Sequence, residues 1–549
     1  MTNSKLFKVL LPAMVLCAIS CNQSDKSLNM IPADAGFVLH VNASSLSSKL
    51  SWNDIQQSSW FTDLNSEAPD SLSKILLQDP ENSGIDLKQD LLFFMKSQGS
   101  NSYAAFEGSI KDAKTFEAFN KNITKSTAAS STEGAFSYYN LDENGVVLWN
   151  DKNFIYLFNT PSANMPSFNE EGQAMSPQHK LRVDSLRKMG QVLFNLDSDE
   201  SLGGNERFTD LLKETGDMHM WVNAENLYNG MGAGMLSMMR VNVLFEGNVS
   251  GTTLNFDDGK ITMKSRQYYG KEMSSLLKKY SSKEVSADII NRIPNQNVVA
   301  AFVMNYPPEG LKEFMKLIGV DGMVNGFLGE AGYSVDEFVK ANKGDIVIAV
   351  SDLNMQTKKI EYPGEDGEPL TMETSSPEMK YLFSTSINDR AAFDKMIGIL
   401  QAKVPKEQVD QLQFSYKLDN NWFAAGNSPE HVNQFLAGGT TKQAFTSKIS
   451  GHPFGAYIDI QKILAASQTS VSDSSAKDML KASMALWEDI VVHGGEMKDG
   501  AIVTEGVITL VDKKTNSLKQ MNTYIDQLSK NIRSKKKVYT EDTSAVTFD

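Results

Sequence analysis

Cysteine is almost absent. The 549 residues contain two, Cys17 and Cys21. The chain beyond residue 21 therefore has no disulfide framework and no cysteine-based zinc site. Histidine is scarce as well: there are six, His40, His179, His219, His431, His452 and His493. No two stand four residues apart, and HExxH does not occur. A GxSxG nucleophile elbow is missing, since Asn248-Val249-Ser250-Gly251 lacks the first glycine. There is no P-loop. Gly230-Met231-Gly232-Ala233-Gly234 follows a helix start rather than a strand end, and it lacks the later glycine and acidic partner of a dinucleotide fingerprint. Positive charge is in deficit, with 53 Lys and Arg against 67 Asp and Glu and a net charge of -14. That balance excludes nucleic acid as an expected partner, because counterion release needs clustered cations against phosphate. It also argues against broad adhesion to anionic lipid. No apolar run after residue 20 approaches a membrane-spanning length. The sequence thus nominates no catalytic, cofactor-binding or metal-binding residue, and no cofactor is expected.

What is present begins at the N-terminus. Lys5 and Lys8 flank the start of an apolar run, Leu6 to Ser20. The run is too short to span a bilayer but suits a signal-peptide core. It ends at Ala18-Ile19-Ser20-Cys21, small residues before a cysteine, as in the bacterial lipobox, although Ala18 stands where Leu is usual. The expectation is a signal peptide over 1–20 and acylation of Cys21, with 21–30 as a lipidated linker. Removing Lys5 and Lys8 would bring the mature charge to -14 - 2 = -16.

The remainder is ordinary globular material, 41% hydrophobic and 22% charged, and too long for one core. It reads as two halves with the same order of parts. Ile31-Pro32 opens the strand run Gly36 to Asn42, and Ile293-Pro294 opens Val298 to Asn305. Asp90 precedes Leu91-Leu92-Phe93-Phe94-Met95, as Asp345 precedes Ile346 to Val350. Tyr103 to Ile110 leads to a helix started by Asp112, and Tyr381 to Ile387 to one started by Asp389. An Asp there accepts from the free N–H groups of the first turn. Phe136-Ser137-Tyr138 is echoed by Phe414-Ser415-Tyr416. Phe154 to Phe158 is echoed by Trp422 to Ala425, and Met218 to Asn223 by Phe454 to Asp459. Asp258-Gly259 and Asp499-Gly500 read as hairpin turns needing positive φ. Each half closes with an amphipathic helix. Within the first half, Asn223-Ala224-Glu225-Asn226-Leu227 repeats the sense of Asn42-Ala43-Ser44-Ser45-Leu46.

The expected class is α+β: two diverged tandem repeats, each a mostly antiparallel sheet with helices packed on one face. The repeats cover 31–285 and 292–532, followed by a flexible basic tail, 533–549. The first half carries a helical insert, Gln178 to Leu196, with the stripe Leu186, Met189, Leu193 and Leu196. The second carries an acidic Gly/Pro loop, Glu361 to Pro369, whose spacing does not match a calcium loop. Met231, Met235, Met238 and Met239 cluster on one predicted helix, a pattern that suits either core filling or apolar binding.

The lipobox at Cys21 and the opening Ile31-Pro32-Ala33-Asp34-Ala35 before Phe37-Val38-Leu39-His40-Val41-Asn42 resemble a family of Bacteroidota cell-envelope lipoproteins known only as a domain of unknown function (family 4836). The resemblance implies an exported, lipid-anchored protein with no assigned activity, covering Ile31 to about Ile532. Asn22-Gln23-Ser24-Asp25-Lys26 lacks the acidic run of surface-exposed lipoproteins, so an outer-membrane protein facing the periplasm is expected. Its expected contacts are the membrane through the Cys21 acyl group and an envelope protein partner. The function expected is a non-enzymatic binding or assembly module. The alternatives are a hydrolase acting on envelope or dietary glycan with dispersed carboxylates, and an apolar-ligand carrier using Met231 to Met239. Cys21→Ala is expected to release the protein from the membrane and to abolish radiolabelled palmitate uptake; persistent labelling would show that the anchor lies elsewhere.

Overall fold

Successive residues of a strand point to opposite faces, so a strand apolar at every position must be buried on both. Gly145-Val146-Val147-Leu148-Trp149 is such a run. In the computed structural model, which describes residues 28, 30–66, 79–97, 102–160, 167–168, 174–175, 181–228, 240–294, 297–363, 369–403, 414–439, 442–471 and 473–544, Val146 and Leu148 enter one core while Val147 and Trp149 enter another. The chain divides into two compact units. The first is Met1–Asp257, Met263–Gly270 and Leu518–Asp526; the second is Asp258–Thr262, Lys271–Ser517 and Gln527–Asp549.

The strands of the first unit are β1 (Phe37–Val41), β2 (Leu91–Lys96), β3 (Tyr103–Ser109), β4 (Ser131–Glu133), β5 (Phe136–Asp142), β6 (Gly145–Trp149), β7 (Asn153–Asn159), the short pair β8 (Ser167–Phe168) and β9 (Ala174–Met175), β10 (Met218–Asn223) and β11 (Val249–Asp257). Antiparallel pairing gives the order β11–β10–β1–β2–β3–β7–β6–β5–β4. One face carries Val38, Leu92, Phe94, Tyr103, Ala105, Ile155 and Leu157. It is covered by the helices Val183–Phe194, through Leu186 and Leu193, and Glu206–Lys213, through Phe208 and Leu211. The other face carries Val41, Leu91, Phe106, Phe154, Tyr156 and Phe158, against the helices Ala43–Lys49 and Ala113–Ile123. Helices thus pack on both faces, not on one. The reason lies in the strands: β6 and β7 have no polar side to leave in water. The helical insert is part of the core, and Gly190 lies so close to Leu148 that a Cβ would stand 2.5 Å from its Cδ1.

After β12 (Lys260–Tyr268), the strands of the second unit are β13 (Val298–Asn305), β14 (Asn342–Pro363), β15 (Pro369–Ile387), β16 (Ser415–Leu418), β17 (Trp422–Gly426), β18 (Phe454–Asp459), β19 (Trp487–Lys498) and β20 (Ala501–Leu510). Their order is β20–β19–β18–β13–β14–β15–β17–β16, again antiparallel throughout. The run β19–β18–β13–β14–β15–β17–β16 therefore repeats β11–β10–β1–β2–β3–β7–β6 of the first unit. Local bonds repeat with it. Asn42 N donates to Asp217 O at 2.9 Å, and Asn305 N to Pro453 O at 2.8 Å. Asp112 accepts from Thr115 N at 2.7 Å, and Asp389 from Ala392 N at 2.8 Å.

One sequence match is corrected. Asn150 accepts from Lys152 N and Asn153 N, as Asp419 does from Asn421 N and Trp422 N. These side-chain turns align β16 with β6, so Phe414-Ser415-Tyr416 does not correspond to Phe136-Ser137-Tyr138 of β5. Of the two Asp-Gly turns, Asp499-Gly500 has both residues left-handed, at φ 50° and 78°, whereas at the first only Gly259 is, at 66°. Glycine is required there because a Cβ would meet the Lys513 Cα at 2.4 Å. The closing helix of the chain runs Ser517–Ser544, past the end expected at Ile532. Among the described residues no helix is long and apolar enough to cross a membrane.

Phe116 joins the second core of the first unit at full burial, its ring against Trp149, Phe154 and Tyr156. Phe116→Ala is expected to destabilise this unit by about 3–5 kcal/mol, read as a lowered denaturant midpoint.

Candidate functional site

Polar side chains collect where β1 and β10 meet. The register sets His40 directly opposite His219, and period-two alternation puts both on the face that carries Val38 and Trp221. Their Nδ1 atoms lie 3.0 Å apart. His40 Nε2 reaches the Asp90 carboxylate at 3.0 Å, and His219 Nε2 the Glu214 carbonyl at 3.0 Å. Gly216 makes room for the ring, since a Cβ there would stand 2.6 Å from His219 Nε2. Behind this pair Asp217, fully buried, accepts from Ser45 Oγ at 2.5 Å, Lys49 Nζ at 2.6 Å and Phe256 N at 2.5 Å. Glu214 accepts from Thr253 Oγ1 at 2.8 Å and pairs with Arg266.

The hydrogen-bond directions assign the protons. A carbonyl only accepts, so His219 Nε2 carries hydrogen. Burial, with the His40 charge beside it, pushes the pKa of His219 down to about 4, so its Nδ1 is bare at neutral pH and His40 Nδ1 donates to it. Chemically this is a clasp tying β1, β2, β10 and the turn before β10. Ser45 is bonded to Asp217 and not to an imidazole, so no nucleophile–base pair forms here.

The second unit places its own imidazoles at the equivalent strand end. His452 and His493 stack with centroids 3.9 Å apart, and His452 Nδ1 pairs with Glu496. Burial and His452 lower the pKa of His493. Asp345, the counterpart of Asp90, accepts from Asn305 Nδ2 at 2.7 Å, and Asp489 accepts from Lys448 Nζ at 2.5 Å. Among the described residues no three His, Cys, Asp or Glu are arranged to hold a metal ion.

The strand histidines face each other. Nothing local in the sequence signals this, because 179 positions separate them. Asp90 is visible in the sequence as a residue before a strand, but Glu214 and Asp217 carry no motif. Cys21, His179, Met231 to Met239 and the loop residues Glu365, Asp366 and Glu368 lie outside the described residues.

A different surface is left uncovered. In the second unit Phe302, Ile348 and Phe383 stand side by side across β13, β14 and β15. Ile348 is 41% exposed, Phe383 38% and Ile458, one row along, 36%. The first unit repeats the row with Leu39, Phe93 and the exposed Met220. Elsewhere in the second unit, Met323 and Phe327 of the helix Asp321–Glu330 are 68% and 72% exposed.

The family described as "Domain of unknown function (DUF4836)" matches residues 28–362. No curated protein matches. Among solved structures, those titled "Structure of crystal form IV of TP0453", form III and form I are similar at 12%, 12% and 11% identity. They cover 47%, 48% and 48% of this chain and 86%, 89% and 88% of theirs, each at a TM-score of 0.24. A score that low carries no argument about a shared fold.

A buried histidine held neutral makes stability depend on pH. The unfolded chain protonates His219 near pH 6.5 and the folded chain only near 4. Its stabilising contribution is complete above about 6.5 and is lost as the pH falls towards about 4. His219→Gln is expected to flatten the acid limb of the stability profile by on the order of 2 kcal/mol. Parallel profiles for the two proteins across that window would refute this role.

Proposed function

The chain belongs to the family of the domain of unknown function DUF4836, and from that premise we propose that it is a lipid-anchored cell-envelope protein that binds or assembles with another envelope protein, the second unit's open sheet face being the contact surface. The observation that carries this reading is the apolar row Phe302, Ile348 and Phe383 with Ile458 beside it. A contiguous apolar patch on a folded surface marks a contact with protein, membrane or apolar ligand, and aromatic residues are enriched at protein contacts. The acyl group on Cys21 supplies the anchor, and the periplasmic side of the outer membrane is the proposed location.

Three of the buried carboxylates support binding over hydrolysis. Asp217 holds Ser45 and Lys49, Asp345 holds Asn305, and Asp489 holds Lys448. A general acid or base needs a proton within reach of a substrate, whereas these groups are engaged inside the fold. The carrier reading shares the apolar row, and the test separates the two.

A photo-crosslinking residue at Ile348 or Phe383, introduced into the full chain in cells, is expected to capture one dominant envelope protein. The same residue at Lys477 on the helix Ser474–Leu486 serves as control. With the photo-crosslinking residue moved to Ile458, Ile348→Lys with Phe383→Glu, which stand opposite one another across β14 and β15 and so form an opposite-charge pair, is expected to abolish the adduct while far-UV circular dichroism stays unchanged. Lipid adducts alone would transfer the surface to an apolar-ligand carrier. Adducts as frequent from Lys477 would refute the surface.

A further inference from the structure

The hairpin of β14 and β15 outruns its sheet. β13 pairs with β14 only as far as Ser351, and β17 with β15 only from Leu382. Between them the register shifts after Ser351, and Asp352 takes a left-handed φ of 52°. From Asn354↔Glu378 to Pro363↔Pro369 the two strands then pair without interruption, a ribbon roughly 30 Å long at the usual rise per residue. Among the described residues no third strand pairs with it. A two-stranded ribbon is marginally stable in water, and its outer edges offer backbone donors and acceptors to another strand.

Prolines settle which edge is open. Antiparallel pairs alternate between those that exchange both hydrogen bonds and those that exchange none. Proline has no N–H, so Met355↔Pro377 and Pro363↔Pro369 are pairs of the second kind. All three prolines fall on one parity, and none interrupts the ribbon's own ladder. Residues of that parity turn their backbone groups outward. On β15 these include Pro369 and Pro377, which close its edge at both ends. On β14 they are Met355, Thr357, Lys359 and Glu361, with proline only at the tip.

We propose that this open edge of β14 pairs antiparallel with the same edge of a second copy of the chain, about a two-fold axis at Ile360. That register sets Lys359 opposite Glu361 on both sides of the axis and Ile360 opposite Ile360. It also sets Lys358 opposite Tyr362. Lys359 and Glu361 exchange both backbone bonds with their counterparts, and Thr357 N–H meets the Pro363 carbonyl. Shifting the axis to Lys358, Lys359 or Glu361 would put like charges face to face, which opposes pairing. Charge complementarity therefore favours a second copy as partner and Ile360 over the neighbouring axes. An isologous contact of this kind closes at the dimer. The ribbon contact goes beyond the sheet-face reading and uses none of its residues.

Sedimentation velocity of the purified full chain is expected to show a concentration-dependent dimer. Glu361→Lys is expected to weaken it about tenfold or more, the scale of two cross-strand charge pairs turned repulsive. Lys359→Glu should do the same, and the double exchange Lys359→Glu with Glu361→Lys should restore the dimer, which a variant that merely unfolded the ribbon would not do. Ile360→Cys is expected to form a disulfide-linked dimer under mild oxidation. A chain monomeric at all accessible concentrations, a dimer indifferent to Glu361→Lys, or an exchange that fails to rescue would each overturn the proposal.

Discussion

Burial of a β-sheet on both faces is the constraint on which the first unit rests. It removes the polar side that an antiparallel strand usually keeps in water. Every residue of β6 is buried, and each must meet a helix on one face or the other. The helical insert Val183–Phe194 is therefore structural, for without it Leu148 and Leu157 would lie against solvent. The same constraint governs the polar groups. His40 and His219 sit on a largely apolar face, in one row with the buried Thr253 and Glu107, and they persist because each ring nitrogen meets a partner. Buried groups left without partners would destabilise the sheet by more than their bonds contribute.

The second unit keeps the strand order and relaxes the burial. Phe106 of the first unit is 5% exposed, whereas Phe383, which pairs the equivalent strand in the same row, is 38% exposed. The rows share their apolar character but not their covering. That contrast is why the open face reads as a contact surface and not as an unfinished core.

Strand and helix positions are legible in the sequence because they depend on neighbours along the chain. The runs at Phe37–Val41 and Met218–Asn223 and the caps at Asp112 and Asp389 fall where period and capping chemistry place them. Asn42 and Asn223 match by letters alone, and each caps the helix after it, accepting from Ser45 N at 3.0 Å and Asn226 N at 3.1 Å. The matches that fail are those that need pairing. Phe136-Ser137-Tyr138 and Phe414-Ser415-Tyr416 share residues but occupy different strands of the order, because β5 and β6 form an extra hairpin turn in the first unit. The histidine clasp is invisible for the same reason. Helices on both faces could have been inferred from the unbroken apolarity of β6 and β7.

In both units the opening strand lies inside the sheet. β1 is flanked by β2 and by β10, and β13 by β14 and β18. A chain made from its N-terminus thus emits a central strand first and, in the first unit, its second neighbour about 180 residues later. During that interval the strand has one edge without a partner, and at ordinary rates of synthesis the delay is of the order of ten seconds or more. Each unit commits late and as a whole. A truncation anywhere before β10 would turn β1, an interior strand of the native sheet, into an open edge, and such an edge invites pairing with other chains.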